Sequence, residues 1–328
     1  MGIGIIGVGK KLADNVVTNE DLCRFINTSD EWIVERSGIH QRHIATTQKN
    51  LDLALDASAE ALSGIDYDSI DMVIVCTLTP DMLVPSMGSL VKMGLGLNNA
   101  VVFDLNSACS GFVYGLWTAE SIMLSSQRTP GRKINRALLI GSERLSRMTD
   151  WDDRSSCILF GDGAGAVVLE HREGEKGIIA NYVKNYDDVN HTLWCGLEYK
   201  PNPFSVDDVQ EKMSLTMLGS QVFKFAVHAV EEVMEQTLEY GGLSADDVDF
   251  YIPHQANYRI IKSAAQRFNQ PLEKFQISIG TTGNISAASI PIALYDAIKE
   301  GKVKSGSTIM MVGFGGGLST GASLVKMW

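Results

Sequence analysis

The sequence predicts an α/β protein made of two related halves, each a mixed sheet with helices on both faces. Three observations carry this. One order of elements occurs twice, opening with LSGIDYDSIDMVIVCTLTP (62–80) in the first half and GGLSADDVDFYIPHQAN (241–257) in the second. The spacing agrees, with Asp71 and Cys109 38 residues apart and Asp249 and Asn284 35 apart. Apolar, β-favouring runs alternate with stretches of helical periodicity along the 328 residues.

The elements follow in order. GIGIIG (2–7) matches the glycine fingerprint of dinucleotide sites, but no strand can precede it. It reads as a glycine-containing first strand. It does not read as a signal peptide, because no basic region precedes the apolar run. Within 22–36, Thr28-Ser29-Asp30-Glu31 resembles a helix start ahead of Trp32 and Val34. Leu51, Leu55, Ser58 and Leu62 lie on one face of a further helix. Each half then gives an acidic turn, a buried strand and a helix (86–93 or 258–268). Next come a strand and a small-residue turn, VVFDLNSACSG in one half and FQISIGTTGNISAAS in the other. After another helix, each half closes with two strands: RALLIGSE and GDGAGAVVLE, or TIMMVGFGGG and STGASLVKMW. The boundary falls in the polar, glycine-bearing HREGEKG (171–177), giving halves of 1–172 and 173–328. Residues 185–210 break the pattern and read as a loop excursion covering the site.

The duplication points to a site. Cys109 stands where a strand hands over to a helix, beside unpaired N–H groups and the positive end of the helix dipole. That setting is expected to push the thiol towards thiolate, the form that attacks carbonyl carbon. Asn284 occupies the corresponding turn of the second half, and His254 follows its strand where Thr79-Pro80 stands in the first. Related loops meeting at a common axis bring the three together. Taken singly, each has a plainer role: a small buried thiol, a strand-end histidine bonded to backbone, a turn asparagine after Gly283.

Composition narrows the function. With 45% hydrophobic and 20% charged residues the chain has material for a sizeable core, and no run of about 18 apolar residues predicts a membrane span. Five scattered cysteines give no disulfide framework and no metal pair, so a reducing cytoplasm is expected and no metal or cofactor. The net charge of −11 argues against nucleic acid and means that an acidic partner needs a local basic patch.

Six stretches together resemble the β-ketoacyl-acyl carrier protein synthase III family of the thiolase-like superfamily. They are DEWIVERSGIHQRHIA (30–45), ACSG around Cys109, DR…FGDGAGAVVL (153–169), HQAN (254–257), GNISAAS (283–289) and GFGGG (313–317). The resemblance implies a thiolase-like fold, the two halves forming a five-layered αβαβα architecture, and a homodimer. It implies an acyltransferase that takes an acyl group from acyl-coenzyme A (acyl-CoA) onto Cys109. Condensation with malonyl-acyl carrier protein follows, initiating fatty acid synthesis. His254 and Asn284 would stabilise the enolate formed on decarboxylation, and the N–H groups of Cys109 and Gly316 would form the oxyanion hole. Trp32 and Arg154 would sandwich the adenine of coenzyme A, Arg36 reach its phosphates, and Gly219 and Asn257 line the pantetheine tunnel. Lys224 and Arg259 are the candidates for docking the carrier protein. Phe314 and Val84, the latter reaching in from the partner subunit, would line the acyl pocket.

The motifs also separate relatives. Elongating synthases carry a second histidine where this chain has Asn284, and degradative thiolases a second cysteine in the glycine loop. Chalcone-synthase-like enzymes carry proline where Gly316 stands. Val84 is smaller than the phenylalanine of short-chain members, so a primer longer than acetyl is expected. With the unusual LWCGLEYKPNP (193–203), it keeps a secondary-metabolism ketosynthase as an alternative. A non-catalytic relative that binds acyl carrier protein is the alternative from another class, and it would be marked by loss of Cys109.

Overall fold

The computed structural model describes residues 2–196, 204 and 213–328. The first sheet is built from β1 (Gly2–Leu12), β2 (Met72–Cys76), β3 (Val101–Leu105), β4 (Arg136–Arg144) and β5 (Asp162–Arg172), in the order β1-β5-β4-β2-β3. The second is built from β6 (Ile178–Asn185), β7 (Phe250–Pro253), β8 (Thr308–Gly315) and β9 (Ser319–Lys326), in the order β7-β8-β9-β6. Parallel pairs occupy one end of each mixed sheet: β2 lies between β4 and the edge strand β3, and the edge strand β7 runs beside β8. Such strands are covered on both faces, which is why MVIVC in β2 is continuously apolar and buried.

Helices cover the outside and fill the middle. Counting those used below, they are α1 (Asp30–Ser37), α2 (Asn50–Ala61), α3 (Met87–Leu95), α4 (Gly111–Arg128), α5 (Gly219–Gly241), α6 (Tyr258–Arg267) and α7 (Ser289–Lys299). α2 and α3 pack on the outer face of the first sheet, and α5 with α6 on that of the second. α4 and α7 lie between the sheets and touch strands of both. The result is the five-layered αβαβα arrangement expected from the sequence. No helix among the described residues is long and apolar enough to cross a membrane.

The second-half strand expected in FQISIG is absent. Only a parallel bridge from Phe275 to Tyr251 stands where β3 stands in the first sheet. Gln276 instead donates its N–H to the Tyr251 carbonyl, and Gln255 Oε1 takes the N–H groups of Ser278 and Ile279. The side chain therefore replaces strand pairing there.

Corresponding backbone bonds set the register of the duplication. Asp71 N–H donates to Arg136 C=O and Asp249 N–H to Thr308 C=O. Counting on from these, Cys76 is the counterpart of His254, three residues before the expected Thr79-Pro80. Asn106 matches Asn284: each Oδ1 accepts from the N–H two residues ahead, at Ala108 and at Ser286. Ala108 and Ser286 both have φ of +44°. Cys109 therefore corresponds to Ala287, not to Asn284.

Glycines on the central strands let these turns approach. A Cβ at Gly141 on β4 would stand 2.4 Å from the Ala287 carbonyl oxygen. Gly141→Ala should lower stability by roughly 1–3 kcal/mol through overpacking of backbone that cannot give way. Thermal unfolding checks this, and an unchanged midpoint would refute the contact.

Candidate active site

Three turns meet around a cavity of about 460 Å³. Cys109 lies in the turn Ala108–Ser110 between β3 and α4, His254 directly follows β7, and Asn284 precedes the turn into α7. All three line the cavity, as do Phe314, Gly315, Gly316, Gly219 and Asn257. Leu78, Leu145, Met148, Leu193, Leu215 and Phe225 give its wall a strongly apolar character. Such a wall suits an aliphatic chain.

Neighbouring strands hold each turn. Asn284 donates its N–H to Leu159 C=O (2.8 Å), and its own C=O accepts from Gly161 N–H (3.0 Å). Its Oδ1 is occupied by Ser286 N–H at 2.9 Å, so its NH₂ is the end with donors to offer. Ser110 Oγ, one residue beyond Cys109, meets Ser319 Oγ at 2.6 Å and ties the Cys109 turn to β9. The glycine that permits close approach to Cys109 is Gly315: a Cβ there would stand 2.7 Å from Cys109 N. At Gly316 the nearest neighbour would be Leu193 at an ordinary 3.5 Å.

Desolvation dominates the electrostatics. It pushes the Cys109 thiol up to about 12, against a lowering contact from Ser286. The helix start does not hold a resting thiolate, contrary to expectation. His254 is 2% exposed, and burial pushes its imidazole down to about 3, so the ring is neutral. Its Nδ1 has no hydrogen-bond partner, and its ring meets that of Phe314 edge-on at 5.1 Å. Burial also pushes Glu143, on β4 behind the cavity wall, up to about 7.

The entrance residues divide. Asn257 caps α6, accepting Arg259 N–H at 2.8 Å, and its Nδ2 donates to Arg36 C=O at 2.8 Å. Trp32 carries the guanidinium groups of Arg36 (4.6 Å) and Arg154 (4.3 Å) over its ring. The two arginines are thus engaged with Trp32 itself, and none of the three lines the cavity. Exposed Arg259 lies over Phe223, 5.5 Å away, a ring shared by the cavity and an outer groove that also holds Lys262. Lys224 is exposed on α5 and lines neither. Val84 is 86% exposed, outside the cavity of its own chain. The antiparallel pair of Leu193–Trp194 with Thr216–Met217 borders the cavity, while residues 197–203 and 205–210, half of the expected excursion, lie outside the described residues.

Sequence reading missed Ser286, Glu143 and Ser319. The buried histidine has a consequence for stability. Because the folded pKa of His254 lies below the unfolded value of 6.5, the unfolded chain binds the extra proton between about pH 6.5 and 3. Its contribution is present above 6.5 and is lost as pH falls. Between pH 7 and 5 the wild type should lose up to about 2 kcal/mol that His254→Gln does not lose. Denaturant titrations at the two pH values measure this, and parallel losses would contradict it.

Comparison with known proteins places these features. Residues 103–186 match the family model 3-oxoacyl-[acyl-carrier-protein] synthase III, and 238–327 match its C-terminal model. The β-ketoacyl-[acyl-carrier-protein] synthase III of Clostridium beijerinckii is 41% identical over 326 residues, 99% of each chain. The crystal structure of 3-oxoacyl-[acyl-carrier-protein] synthase III from Aquifex aeolicus superposes with a TM-score of 0.90 at 42% identity, covering 99% of this chain and 100% of that one. The priming β-ketosynthase of the R1128 polyketide pathway superposes with a TM-score of 0.91 at 31% identity, covering 99% and 96%. With matches that run end to end and converge on the turns carrying Cys109, His254 and Asn284, this chain belongs to the 3-oxoacyl-[acyl-carrier-protein] synthase III family.

Proposed function

We propose that this chain condenses an acyl-CoA primer with malonyl-acyl carrier protein, with loss of carbon dioxide, to give a 3-oxoacyl-acyl carrier protein and initiate fatty acid synthesis. The observation that carries this reading is the meeting of Cys109, neutral His254 and Asn284 in one apolar cavity. A thiol can take the acyl group as a thioester, and two neutral donors can bind an enolate oxygen without supplying a proton that would quench the carbanion. The fatty acid reading is supported by the curated synthase III relatives, which are about 41–43% identical over nearly the whole chain. The presence of Cys109 speaks against a purely carrier-binding role.

In the proposed cycle, Cys109 attacks the primer thioester, and its own N–H with that of Gly316 holds the oxyanion. Coenzyme A leaves, and malonyl-acyl carrier protein enters. His254 and Asn284 donate to the malonyl thioester oxygen as carbon dioxide departs, and the enolate carbon attacks the acyl-Cys109 carbonyl. The half of residues 1–172 supplies the nucleophile and that of 173–328 the enolate donors. Gly219 and Asn257 fit a pantetheine passage, and Trp32 with Arg154 an adenine site reached when the base displaces the guanidinium. Arg36 would serve the phosphates, with Arg259 and Lys224 meeting the acidic carrier protein. A cytoplasmic homodimer completes the reading. Met82, Leu83 and Val84 are exposed beside the edge strand β3, which among the described residues pairs only with β2, so a second copy can cover them. Val84 then enters the partner's acyl pocket near Phe314.

Intact-mass spectrometry with a panel of acyl-CoA thioesters tests the first step. Adducts should form on the native protein and be absent from Cys109→Ala; a mutant that still loads would exclude this nucleophile. His254→Ala and Asn284→Ala should still load but condense roughly 10²–10³-fold more slowly. The loading profile should extend beyond acetyl, and a sharp acetyl optimum would remove the role given to Val84.

A further inference from the structure

One of the largest fully buried side chains is a cation that the reaction leaves without a role. Arg42 is 0% exposed and lies on the short strand Gln41–Ile44, paired antiparallel with Asn15–Thr18. Its Nη2 donates to Ile158 C=O at 2.7 Å and its Nη1 to Val17 C=O at 3.3 Å, while its Nε has no hydrogen-bond partner. Both bonds end on backbone carbonyls, so the guanidinium is buried without a hydrogen-bonded carboxylate among the described residues. Burial lowers its pKa to about 10, which leaves it charged at neutral pH. A hydrocarbon of similar size would fill the space without that desolvation cost. Only the donors distinguish the arginine.

The stronger of its two bonds ends on the segment that carries Asn284. Immediately after Ile158, Leu159 C=O accepts Asn284 N–H at 2.8 Å, and Gly161 N–H donates to Asn284 C=O at 3.0 Å. Phe160, between them, forms a parallel bridge with Asn284 and lines the cavity. A Cβ at Gly161 would stand 2.4 Å from Thr282 O, so the two segments meet backbone to backbone. The stem of the arginine touches the turn as well: a Cβ at Gly283, whose φ is +66°, would stand 3.1 Å from Arg42 Cβ. Arg42 therefore grips both members of the bridge, residues 158–161 through its guanidinium and Gly283 through its Cβ. The bond from Ser286 N–H to Asn284 Oδ1 sets which end of the amide is free. Where the amide stands depends on the segment beside it.

We propose that Arg42 is a positioning residue for Asn284, holding residues 158–161 so that the asparagine NH₂ stays aimed into the cavity at the enolate oxygen. The assignment rests on the proposed condensation, in which Asn284 donates to that oxygen. Arg42 does not line the cavity and touches no substrate. The Cys109 turn is braced instead by Ser319 and Gly315, so primer loading does not depend on Arg42.

The test separates the two half-reactions in Arg42→Met, which lacks the donors, and Arg42→Lys, which keeps the charge without the planar fork. Intact-mass spectrometry with acyl-CoA follows loading, and carbon dioxide released from malonyl-acyl carrier protein follows the second step. Arg42→Met should load Cys109 within about 2-fold of the wild-type rate while losing roughly 10- to 10²-fold in kcat for carbon dioxide release, with KM little changed. Arg42→Lys should recover part of that loss. In an Asn284→Ala background, Arg42→Met should cost less than about 2-fold, because the group it positions is gone. A merely structural arginine would instead lower both half-reactions together and cost as much in that background; either result overturns the assignment. Where Arg42→Met does not fold, Arg42→Lys decides on the same split and the same background. Asn284→Ala that releases carbon dioxide as fast as wild type would overturn the role given to Asn284 and this assignment with it. A slow Asn284→Ala beside a fast Arg42→Met overturns the assignment of Arg42 alone.

Discussion

The site depends on backbone meeting backbone at the seam between the two sheets. Gly141 and Gly165 on the first sheet admit the chain entering α7, with imaginary Cβ atoms 2.4 Å from Ala287 O and 2.7 Å from Ile292 N. Gly313 and Gly315 on the second admit the chain entering α4, 3.2 Å from the Cα of Ser110 and 2.7 Å from Cys109 N. The two central helices are pressed between sheets at distances that only glycine allows. Each half therefore positions the other's chemistry. Gly315 and Ser319 of the second half brace Cys109, while Leu159 and Gly161 of the first half hold Asn284. Neither half alone would present the site.

The same packing sets the electrostatics. Excluding water raises the thiol and the carboxyl and lowers the imidazole, so every titratable group around the reacting centre moves towards its neutral form. Folding stability is given up for this, by the raised carboxyl near neutrality and by the buried neutral histidine below about pH 6.5. In the proposed condensation, what is gained is a chamber where a carbanion can form without meeting a proton donor stronger than a neutral ring or amide.

Much of this was legible in the sequence because the duplication is. Order and spacing of elements foretold the sheets, and the small-residue turns foretold where the helices start. The cysteine, histidine and asparagine could be picked out by type and position. What could not be read is fine register. His254 matches Cys76 rather than Thr79-Pro80 because strand ends are set by ladder bonds such as Asp249 N–H to Thr308 C=O, not by composition. In GFGGG the residue against Cys109 is Gly315, a distinction of one position that only packing makes. Glu143 was invisible for another reason: a charged residue closing RALLIGSE reads as a strand reaching water, yet here it is covered by Thr77, Thr79 and Ser286. The thiolate expectation failed because local helix-end electrostatics was weighed without the burial that opposes it.

The entrance follows a different logic from the chamber. Trp32 is half-buried on α1 and faces two guanidinium groups, one from its own helix and one from Arg154, which is tethered by its Nη1 to Asn27 C=O at 2.9 Å. An exposed cation–π contact is worth only about 0.5–1 kcal/mol. In the proposed function, exchanging that contact for a stacked adenine would cost little and would leave the arginine beside the base with its own flat face available. In the chamber, groups are fixed by backbone packed too closely to move. Around Trp32, weak contacts between flexible side chains keep the ring covered. On the proposed reading, the rigid turns over a glycine seam serve catalysis and the soft aromatic stack serves capture.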